Sequence, residues 1–386
     1  MKKIAIIIIL ACIAVSCQSV ATIKEDVTIV SIGNDAVTVA YAKDIFQQVD
    51  YISPRLDENH PIGLANKVLV KDGTIFISDG RTLFQYSANG EYIRSLERRG
   101  RGPQEYYGIM DFALDNDNIY IIDRNTKLLK YTVNNDFVAA EKLDFFPASI
   151  YITDNGKLLL TSAYQNEGDK FNVYNTESLQ REGSFHPITK AEMSYRHIMG
   201  QSNFYTYDDR LLYHEPMNNS VYNLDVANGL YTELYRFDLD GHNPPADFWE
   251  QQYSNVAEIN IAAIEKDYNF GLPVFAITDN YMLFTYRAGA NYRMCLYNRR
   301  DDSSRSFEAL QFAHNMPAVS IADISFCFSN EESLYMVIPE NFFFDDNGHV
   351  YANGVLPEGA GEGNPVIISC NLNLGGDTEV EITNIQ

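Results

Sequence analysis

Four short apolar runs, separated by turn residues, lie between residues 68 and 96: Val68-Leu69-Val70, Ile75-Phe76-Ile77-Ser78, Leu83-Phe84-Gln85-Tyr86 and Tyr92-Ile93. The turns between them include Asp72-Gly73 and Asn89-Gly90, which are residue pairs that favour tight hairpins. The stretch therefore predicts a four-stranded antiparallel meander, whose strands we name A to D in chain order.

The same unit recurs along the chain. A turn that carries Asp or Asn, followed by an apolar B strand, is found at intervals of 39 to 71 residues, and the B strands begin at Ile75, Ile119, Leu158, Leu211, Met282 and Leu334. A repeated supersecondary unit of this kind is typical of propellers. We therefore predict an all-β protein, a six-bladed β-propeller of four-stranded antiparallel blades, in residues 45–386. A β-sandwich is the alternative, but it does not predict the repeated short A–B turn and variable B–C loop.

A closed ring needs its ends fastened, because an open edge strand invites aggregation. Residues 45–52 alternate like a strand and precede the first A strand, so they are one candidate for closing the last blade. Residues 379–382 compete for the same place. The sequence leaves both open.

The first 17 residues have the pattern of a secretion signal. Lys2 and Lys3 precede an apolar stretch over residues 4–15, which is too short for an ordinary membrane span. The stretch ends in Ala14-Val15-Ser16-Cys17, which resembles the lipobox of bacterial lipoproteins. In that family the residue matching Cys17 is lipidated and becomes the first mature residue. A plain secretory signal is the alternative. Because Gln18 rather than Asp follows, we expect a lipid anchor in the outer membrane, on its periplasmic or cell-surface side, with residues 18–44 as a tether and possible strand.

The chain is acidic, with 52 Asp and Glu against 29 Lys and Arg. This balance lacks the basic footprint of a nucleic-acid-binding protein, so no nucleic-acid partner is expected. Beyond the leader there remain Cys295, Cys327 and Cys370, which lie in strand-like runs. We expect them to be buried small side chains, because an odd number argues against a disulfide framework.

The segment Gly100-Arg101-Gly102-Pro103-Gln104-Glu105-Tyr106 follows the first meander. With Tyr86-Ser87-Ala88-Asn89-Gly90-Glu91-Tyr92-Ile93 and Gly363-Asn364-Pro365-Val366-Ile367-Ile368, it resembles the six-bladed β-propeller lipoproteins of Bacteroides-type bacteria, which are distantly similar to NHL-repeat propellers. The resemblance covers roughly residues 45–385 and is specific in the first two blades. It implies a fold and an envelope location but no activity.

The long connections are predicted to lie on one face of the ring. Antiparallel alternation sends A–B and C–D turns to one end of each blade, and B–C loops and crossings between blades to the other. The long excursions are all of the second kind: residues 97–109, 163–170, 186–202, 238–273, 287–293, 311–323 and 339–365. Since loops on a rigid scaffold carry function, this long-loop face is the predicted binding face.

Candidate ligand-binding residues on this face fall into two groups. The first crossing carries Arg98, Arg99, Arg101, Glu105, Tyr106 and Tyr107. An Arg fork there could hold a carboxylate of a uronic acid or peptide, whereas the Gly, Pro and Glu residues fit a structural role slightly better. The largest crossing starts at Pro244-Pro245 and predicts a lid helix that carries Trp249, either as an anchor of the helix or as a platform for a sugar ring.

Histidines are the remaining candidates. His197 and five others fall in or beside the long loops, but none has the short spacing of a zinc motif, so no metal and no cofactor is predicted. The favoured hypothesis is a lipid-anchored envelope protein that binds a glycan or peptide. The alternatives are a propeller-type lyase or glycosidase and a protein-interaction platform in an envelope complex; whether the protein is an enzyme stays open.

Overall fold

The computed structural model describes residues 26–33, 36–55, 60–163, 167–195, 204–215, 218–251, 253–271, 274–328, 333–344, 349–351, 356 and 365–371. The signal-peptide residues with Cys17, as well as His197 and the candidate strand at 379–382, lie outside this part of the chain.

The strands of the described residues form six sheets, which we number in chain order. Sheet 1 contains β4 (Lys67–Lys71), β5 (Thr74–Ser78), β6 (Leu83–Ser87) and β7 (Tyr92–Leu96). Sheet 2 contains β8 (Ile109–Leu114), β9 (Asn118–Asp123), β10 (Lys127–Thr132) and β11 (Phe137–Lys142). Sheet 3 contains β12 (Pro147–Ile152), β13 (Lys157–Ser162), β14 (Asp169–Asn175) and β15 (Arg181–Pro187). In these sheets each strand pairs with the next along the chain, as the meander pattern predicts.

Sheets 4 to 6 each contain a strand from the N-terminal segment. Sheet 4 contains β16 (Phe204–Tyr207), β17 (Arg210–His214), β18 (Ser220–Asp225), β19 (Leu230–Leu239) and β1 (Thr28–Ile32). Sheet 5 contains β2 (Ala36–Tyr41), β20 (Asn269–Phe270), β21 (Phe275–Ile277), β22 (Tyr281–Ala288), β23 (Asn291–Asn298), β24 (Ser304–Gln311) and β25 (Val319–Ser320). Sheet 6 contains β26 (Ser325–Phe328), β27 (Ser333–Ile338), β28 (Val366–Asn371) and β3 (Val49–Ile52).

The first strands of the repeats lie together at the centre. Strand β8 contacts β12, β16 contacts β21, and β26 contacts β4, so sheets at the two ends of the sequence are neighbours. Strands β7, β11 and β15 lie at the opposite edges of their sheets. The fold is thus an all-β propeller of four-stranded antiparallel blades, as predicted at that level.

The prediction of six regular blades is wrong for the described residues: sheets 1 to 4 and sheet 6 each contain four antiparallel strands and give five such blades, whereas sheet 5 is irregular. In sheet 5 the inner strand is divided into β20 and β21, both of which pair with β22. The additional strands β2 and β25 both pair with β24. The expected long loop at 287–293 is also absent, because β22 and β23 are joined by a tight turn at Gly289-Ala290.

The N-terminal segment completes one sheet and extends two others. Strand β3 pairs with β28 in antiparallel register, from Ile52 opposite Ile367 to Val49 opposite Cys370, and so closes sheet 6. Strands β1 and β2 instead add in parallel to the outer strands β19 and β24. Of the two closing strands that the sequence left open, residues 45–52 thus supply the strand that pairs in sheet 6, and the tether of residues 18–44 contains two strands where one was considered.

Three α-helices lie in the described connections: α1 (Lys190–Tyr195), α2 (Ala246–Glu250) and α3 (Val256–Glu265). Short 3-10 turns cover Ala42–Asp44, Ile321–Asp323 and Glu340–Phe342. The prediction of a single lid helix is wrong, because this segment forms two helices, α2 and α3. The side chain of Asn255 caps the start of α3 by accepting the N–H of Glu258 at 3.0 Å. The two helices share a small cluster of buried side chains that includes Phe248 and Ile259.

Apolar side chains fill the spaces between neighbouring sheets, and the largest cluster extends through sheets 4, 5 and 6. Cys295 and Cys370 are buried free thiols, as predicted, and burial raises the pKa of Cys295 to about 12. Cys327 lies in β26, but its side chain is outside the described part. No helix within the described ranges is both long and apolar enough to span a membrane.

Candidate functional site

The crossing from sheet 1 to sheet 2 is held by Glu105. Its Oε2 accepts the backbone N–H of Gly102 at 2.8 Å, and a Cβ at Gly100 would collide with the same carboxylate. The amine of Lys127 donates to the carbonyl oxygens of Gly102, at 3.1 Å, and of Glu105. The Gly-x-Gly-Pro-x-Glu pattern is thus a folded turn in which the main chain engages the carboxylate of Glu105, and ligand binding by Glu105 stays a prediction.

Tyr106 is also structural. Its ring is fully buried, and its hydroxyl donates to the carbonyl of Leu96 at 2.6 Å. Burial raises the pKa of Tyr106 well above its usual range, so the phenol stays neutral. The buried ring and the bonded hydroxyl support a structural role, and ligand binding by Tyr106 stays a prediction. Tyr107 is 51% exposed and keeps an accessible ring, while its backbone N–H donates to Oδ1 of Asp123 at 2.9 Å.

The three arginines of this crossing are exposed, but the structure does not gather them into one fork. Arg99 pairs with Tyr106 through an isolated bridge of the main chain. Arg98 extends towards sheet 2, where its guanidinium donates to the carbonyl of Asn135 at 3.3 Å. Arg98 also lines the groove described below, whereas Arg99 and Arg101 do not.

Trp249 is half-buried in α2. Its ring meets Phe248 edge-on, with centroids 5.0 Å apart, and Phe270 with centroids 5.8 Å apart. Phe270 belongs to β20, so the indole connects the helical segment to sheet 5. This geometry supports the anchoring role over the sugar platform, since ring edges and faces are used by neighbouring aromatic side chains.

A groove of about 480 Å³ follows β7, the outer strand of sheet 1. It is lined by seven consecutive residues, 92–98, together with His60 from the segment before sheet 1 and Asn135 from the C–D turn of sheet 2. Asn135 has a left-handed backbone (φ 73°), a conformation that Asn tolerates better than most residues. The groove therefore lies where three separate parts of the chain meet.

One side of the groove carries guanidinium groups. Nη1 of Arg94 donates to Oδ1 of Asn134 at 2.6 Å, and Nη2 of Arg98 donates to the carbonyl of Asn135. Nδ2 of Asn135 donates in turn to the carbonyl of Ser95 at 2.9 Å. The C–D turn of sheet 2 thus positions two cations of sheet 1, which lowers the entropy lost when they bind an anion.

The other side carries an aromatic pair and a carboxylate. The rings of His60 and Tyr92 stack with centroids 4.8 Å apart and an interplanar angle of 15°. The hydroxyls of Tyr92 and Ser95 are 2.9 Å apart, and Ser95 donates to Oε1 of Glu97 at 2.7 Å. Nε2 of His60 lies 4.0 Å from the same carboxylate oxygen. This side offers both an aromatic face and hydrogen-bonding groups.

Of the groove residues, only Arg98 was predicted from the sequence. The others come from three separate segments of the chain, which are brought together only when sheet 1 packs against its neighbours: His60, Tyr92, Arg94, Glu97 and Asn135. The available signal was weak: Arg94 alternates with apolar residues on a strand, which is a common pattern for an exposed face.

A second polar cluster is buried between sheets 3 and 4. Lys170, almost fully buried at the start of β14, pairs with Glu215 and, at 2.9 Å, with Glu192. Tyr231 donates to Glu215 at 2.7 Å, and its ring lies 5.0 Å from the Lys170 amine. Buried charges need oppositely charged or hydrogen-bonding partners, and the cluster supplies them. Because Lys170 lies in sheet 3 and Tyr231 in sheet 4, the cluster also joins these two sheets.

His214 precedes Glu215 at the end of β17 and is 4% exposed. Neither ring nitrogen has a hydrogen-bond partner within the described residues. Burial lowers the pKa of His214 to about 3, so the ring is neutral at physiological pH.

A third buried pair joins sheets 1 and 2. The amine of Lys67 donates to Oδ1 of Asp111 at 2.5 Å and to the carbonyl of Phe112 at 2.8 Å. The other carboxylate oxygen of Asp111 accepts the N–H of Ile150 in sheet 3 at 2.9 Å. Burial raises the pKa of Asp111, an effect that Lys67 opposes. Asp111 thus links three consecutive sheets near the centre of the ring.

Within the described part of the chain, no group of three or more His, Cys, Asp or Glu side chains is arranged to hold a metal ion. The buried charged groups are engaged with one another or with the main chain. Within the described residues, the open groove along β7 offers accessible charged and aromatic side chains and is therefore a candidate site for a molecule from outside.

The structure is thus a β-propeller with an accessible polar groove along β7, the outer strand of sheet 1. The chain belongs to the family described as "Domain of unknown function (DUF4934)", whose model matches residues 27–368. No curated protein matches the chain significantly.

Solved structures are similar to this chain to different degrees. The crystal structure of the "Putative exported protein" from Bacteroides fragilis has a TM-score of 0.66 at 15% identity, covering 89% of this chain and 99% of that one. Catalytically inactive virginiamycin B lyase from Staphylococcus aureus with quinupristin gives 0.45 at 12% identity, covering 83% and 99%. The WD40 domain of Neurospora crassa Pan2 gives 0.41 at 8% identity, covering 79% and 75%. At such identities the likeness is one of fold alone.

Proposed function

We propose that this protein is an exported, lipid-anchored propeller that binds a polar ligand, a glycan or a peptide, in the groove along β7. The observation that carries the proposal is the groove itself, in which two positioned arginines face an aromatic pair and a carboxylate across one strand. Such a combination of cationic, aromatic and hydrogen-bonding groups suits ligands with carboxylates and ring or chain faces. Compared with the prediction from the sequence, the site moves from the long-loop face to the outer edge of sheet 1.

The envelope location is supported by the basic start, the apolar stretch and Cys17. The Bacteroides fragilis protein, similar over most of its length, is itself named as exported. Metabolic labelling with an alkyne fatty acid tests the anchor: the native protein should be labelled and found in the membrane fraction, and the Cys17→Ala variant should be unlabelled. Equal labelling of both would rule out the anchor at Cys17.

Ligand binding is tested with soluble protein that starts at residue 18. A glycan array and a library of extended peptides are screened, and each positive ligand is measured by calorimetry. Binding should fall at least tenfold in Arg94→Gln/Arg98→Gln, whereas Arg300→Gln should bind normally. Arg300 is a matched control because it is an exposed arginine whose Nε donates to the side chain of Asn280 at 2.7 Å, far from the groove in sequence. A ligand that binds all three proteins equally would remove the groove from the function.

A further inference from the structure

The groove lies on the edge of a sheet rather than on one of its faces. All residues from 92 to 98 line it, although successive side chains of a strand point to opposite faces. Tyr92 packs towards the cluster that contains residues of sheet 6, and Leu96 packs in the cluster shared with sheet 2. A groove that both sets of side chains line must pass over the outer edge of β7, where the backbone groups of an end strand lie.

The edge takes hydrogen bonds from outside the sheet. Asn135 donates its side-chain N–H to the carbonyl of Ser95, in the middle of the groove. In the described residues β7 pairs with β6 alone. An amide side chain therefore supplies one of the contacts that a neighbouring strand would make.

The same molecule shows that its outer strands accept an added strand. Residues Thr28–Ile32 pair in parallel with β19 of sheet 4, and Ala36–Tyr41 pair in parallel with β24 of sheet 5. Both contacts are made by extended segments that enter from a distant part of the sequence. Sheet 1 has the same strand order but keeps its outer edge open in the described residues.

The charged and aromatic side chains on the two sides of β7 determine which side chains a complementary added strand would carry. Arg94 and Arg98 lie with Asn135 on one side, while His60, Tyr92 and Glu97 lie on the other. An added strand alternates its side chains between these sides. Of carboxylates on every second residue, those opposite Arg94 and Arg98 would meet the guanidinium groups on either side of the buried Leu96, and the intervening apolar side chains would lie on the side of the aromatic pair.

We propose that β7 is a strand-addition site for a partner protein, and that its ligand is an extended peptide segment with carboxylates on alternate residues. This inference rests on the proposed function and narrows its ligand class from glycan or peptide to peptide. Main-chain hydrogen bonds to β7 supply affinity, and the alternating side chains supply specificity.

The test uses soluble protein from residue 18 and three kinds of synthetic eight-residue peptide with the same Glu and Val content. The first alternates Glu and Val, the second has its Glu residues in one block, and the third alternates but is N-methylated at every second residue, in both possible registers. The alternating peptide should bind at least tenfold more tightly than the block peptide, and N-methylation in one register should abolish binding. Arg94→Gln/Arg98→Gln should weaken binding at least tenfold, with Arg300→Gln unchanged.

A uronic acid oligosaccharide is the fourth probe and separates the two levels of the proposal. If it binds with dependence on Arg94 and Arg98 while the alternating peptide does not, the strand-addition site is refuted and ligand binding in the groove stands. If neither binds, both fail. Equal binding of the alternating and block peptides would show attraction between charges without strand pairing, and would also overturn the inference. A protein lacking residues 372–386 is measured in parallel. Tighter peptide binding after this deletion would show that these residues of the chain itself, and not a partner protein, occupy the edge of β7.

Discussion

Arg94 of sheet 1 and Asn134 of sheet 2 are joined by a hydrogen bond of 2.6 Å across the space between two neighbouring sheets. They are 40 residues apart, one repeat of the propeller. The bond turns an exposed strand residue into part of a shaped groove, because it fixes the direction of a side chain that would otherwise sample many rotamers. Contacts of this kind, between one repeat and the next, account for the candidate site.

Gly100→Ala should destabilise the protein by about 1–3 kcal/mol, the usual range for overpacking. The added methyl would meet the carboxylate of Glu105, which accepts the N–H of Gly102. Urea denaturation measures the loss, and Gly183→Ala is the control because a Cβ there meets nothing within 4 Å. The double variant Gly100→Ala/Glu105→Ala should recover part of the loss. Equal stability of Gly100→Ala and the native protein would contradict this account of the motif.

Lys67→Met should cost about 3–5 kcal/mol, because it leaves the buried Asp111 without its cation. The double variant Lys67→Met/Asp111→Leu should lose less than the sum of the single changes, since no charge then remains uncompensated. Thermal and urea unfolding of the four proteins form a double-mutant cycle. Additive losses would show that the two side chains act independently, against the geometry.

His214→Leu should make the protein more resistant to acid. The folded-state pKa of His214, about 3, lies below the ordinary value of 6.5, so between these values the unfolded chain binds more protons than the folded one. The native protein therefore loses stability as pH falls through this window, by up to about 1.4 kcal/mol per pH unit from this residue. The urea midpoints at pH 7 and pH 5 should therefore differ less in the variant than in the native protein. An identical pH dependence in both proteins would show that the ring is hydrated or protonated in the fold.

Removal of residues 18–44 and removal of residues 18–52 should have different consequences. The shorter deletion strips β1 and β2 from the outer edges of sheets 4 and 5 and should lower the melting temperature while the remaining sheets stay folded. The longer one removes β3, leaves β28 without its outer neighbour and should prevent cooperative unfolding. Calorimetry distinguishes these outcomes. A cooperative transition after the longer deletion would mean that β3 does not close the ring.

Much of the fold was predictable from local patterns. The turns at Asp72-Gly73 and Asn89-Gly90 mark sheet 1, and Gly73 and Gly90 adopt the positive φ that such turns require. The divided inner strand of sheet 5 was not predictable, because residues 269–277 contain apolar residues throughout and do not show where pairing with β22 stops. The extension by β1 and β2 was also missed, since nothing local specifies which distant strand a short alternating segment joins.

The candidate site divides in the same way. Composition identified Arg98 as exposed and charged, but also suggested Glu105 and Tyr106, which the folded chain uses internally. The sequence around Glu105 and Tyr106 is the same whether their side chains face solvent or bond to the main chain, so it does not distinguish the two roles. Burial decides between these roles, and burial depends on the neighbouring sheet.

The sequence by itself determined the repeated meander and the buried thiols Cys295 and Cys370, and narrowed the closing strand to two candidates, because turn chemistry and alternation act between residues close in the chain. Only the tertiary structure decided that, in the described residues, the outer edge of β7 stays open between Tyr92 and Arg98, and that His60, Asn134 and Asn135 frame it. The physical reason is that ring closure brings together surfaces from successive repeats, and their contacts are set by packing between sheets rather than by any pattern within one sheet.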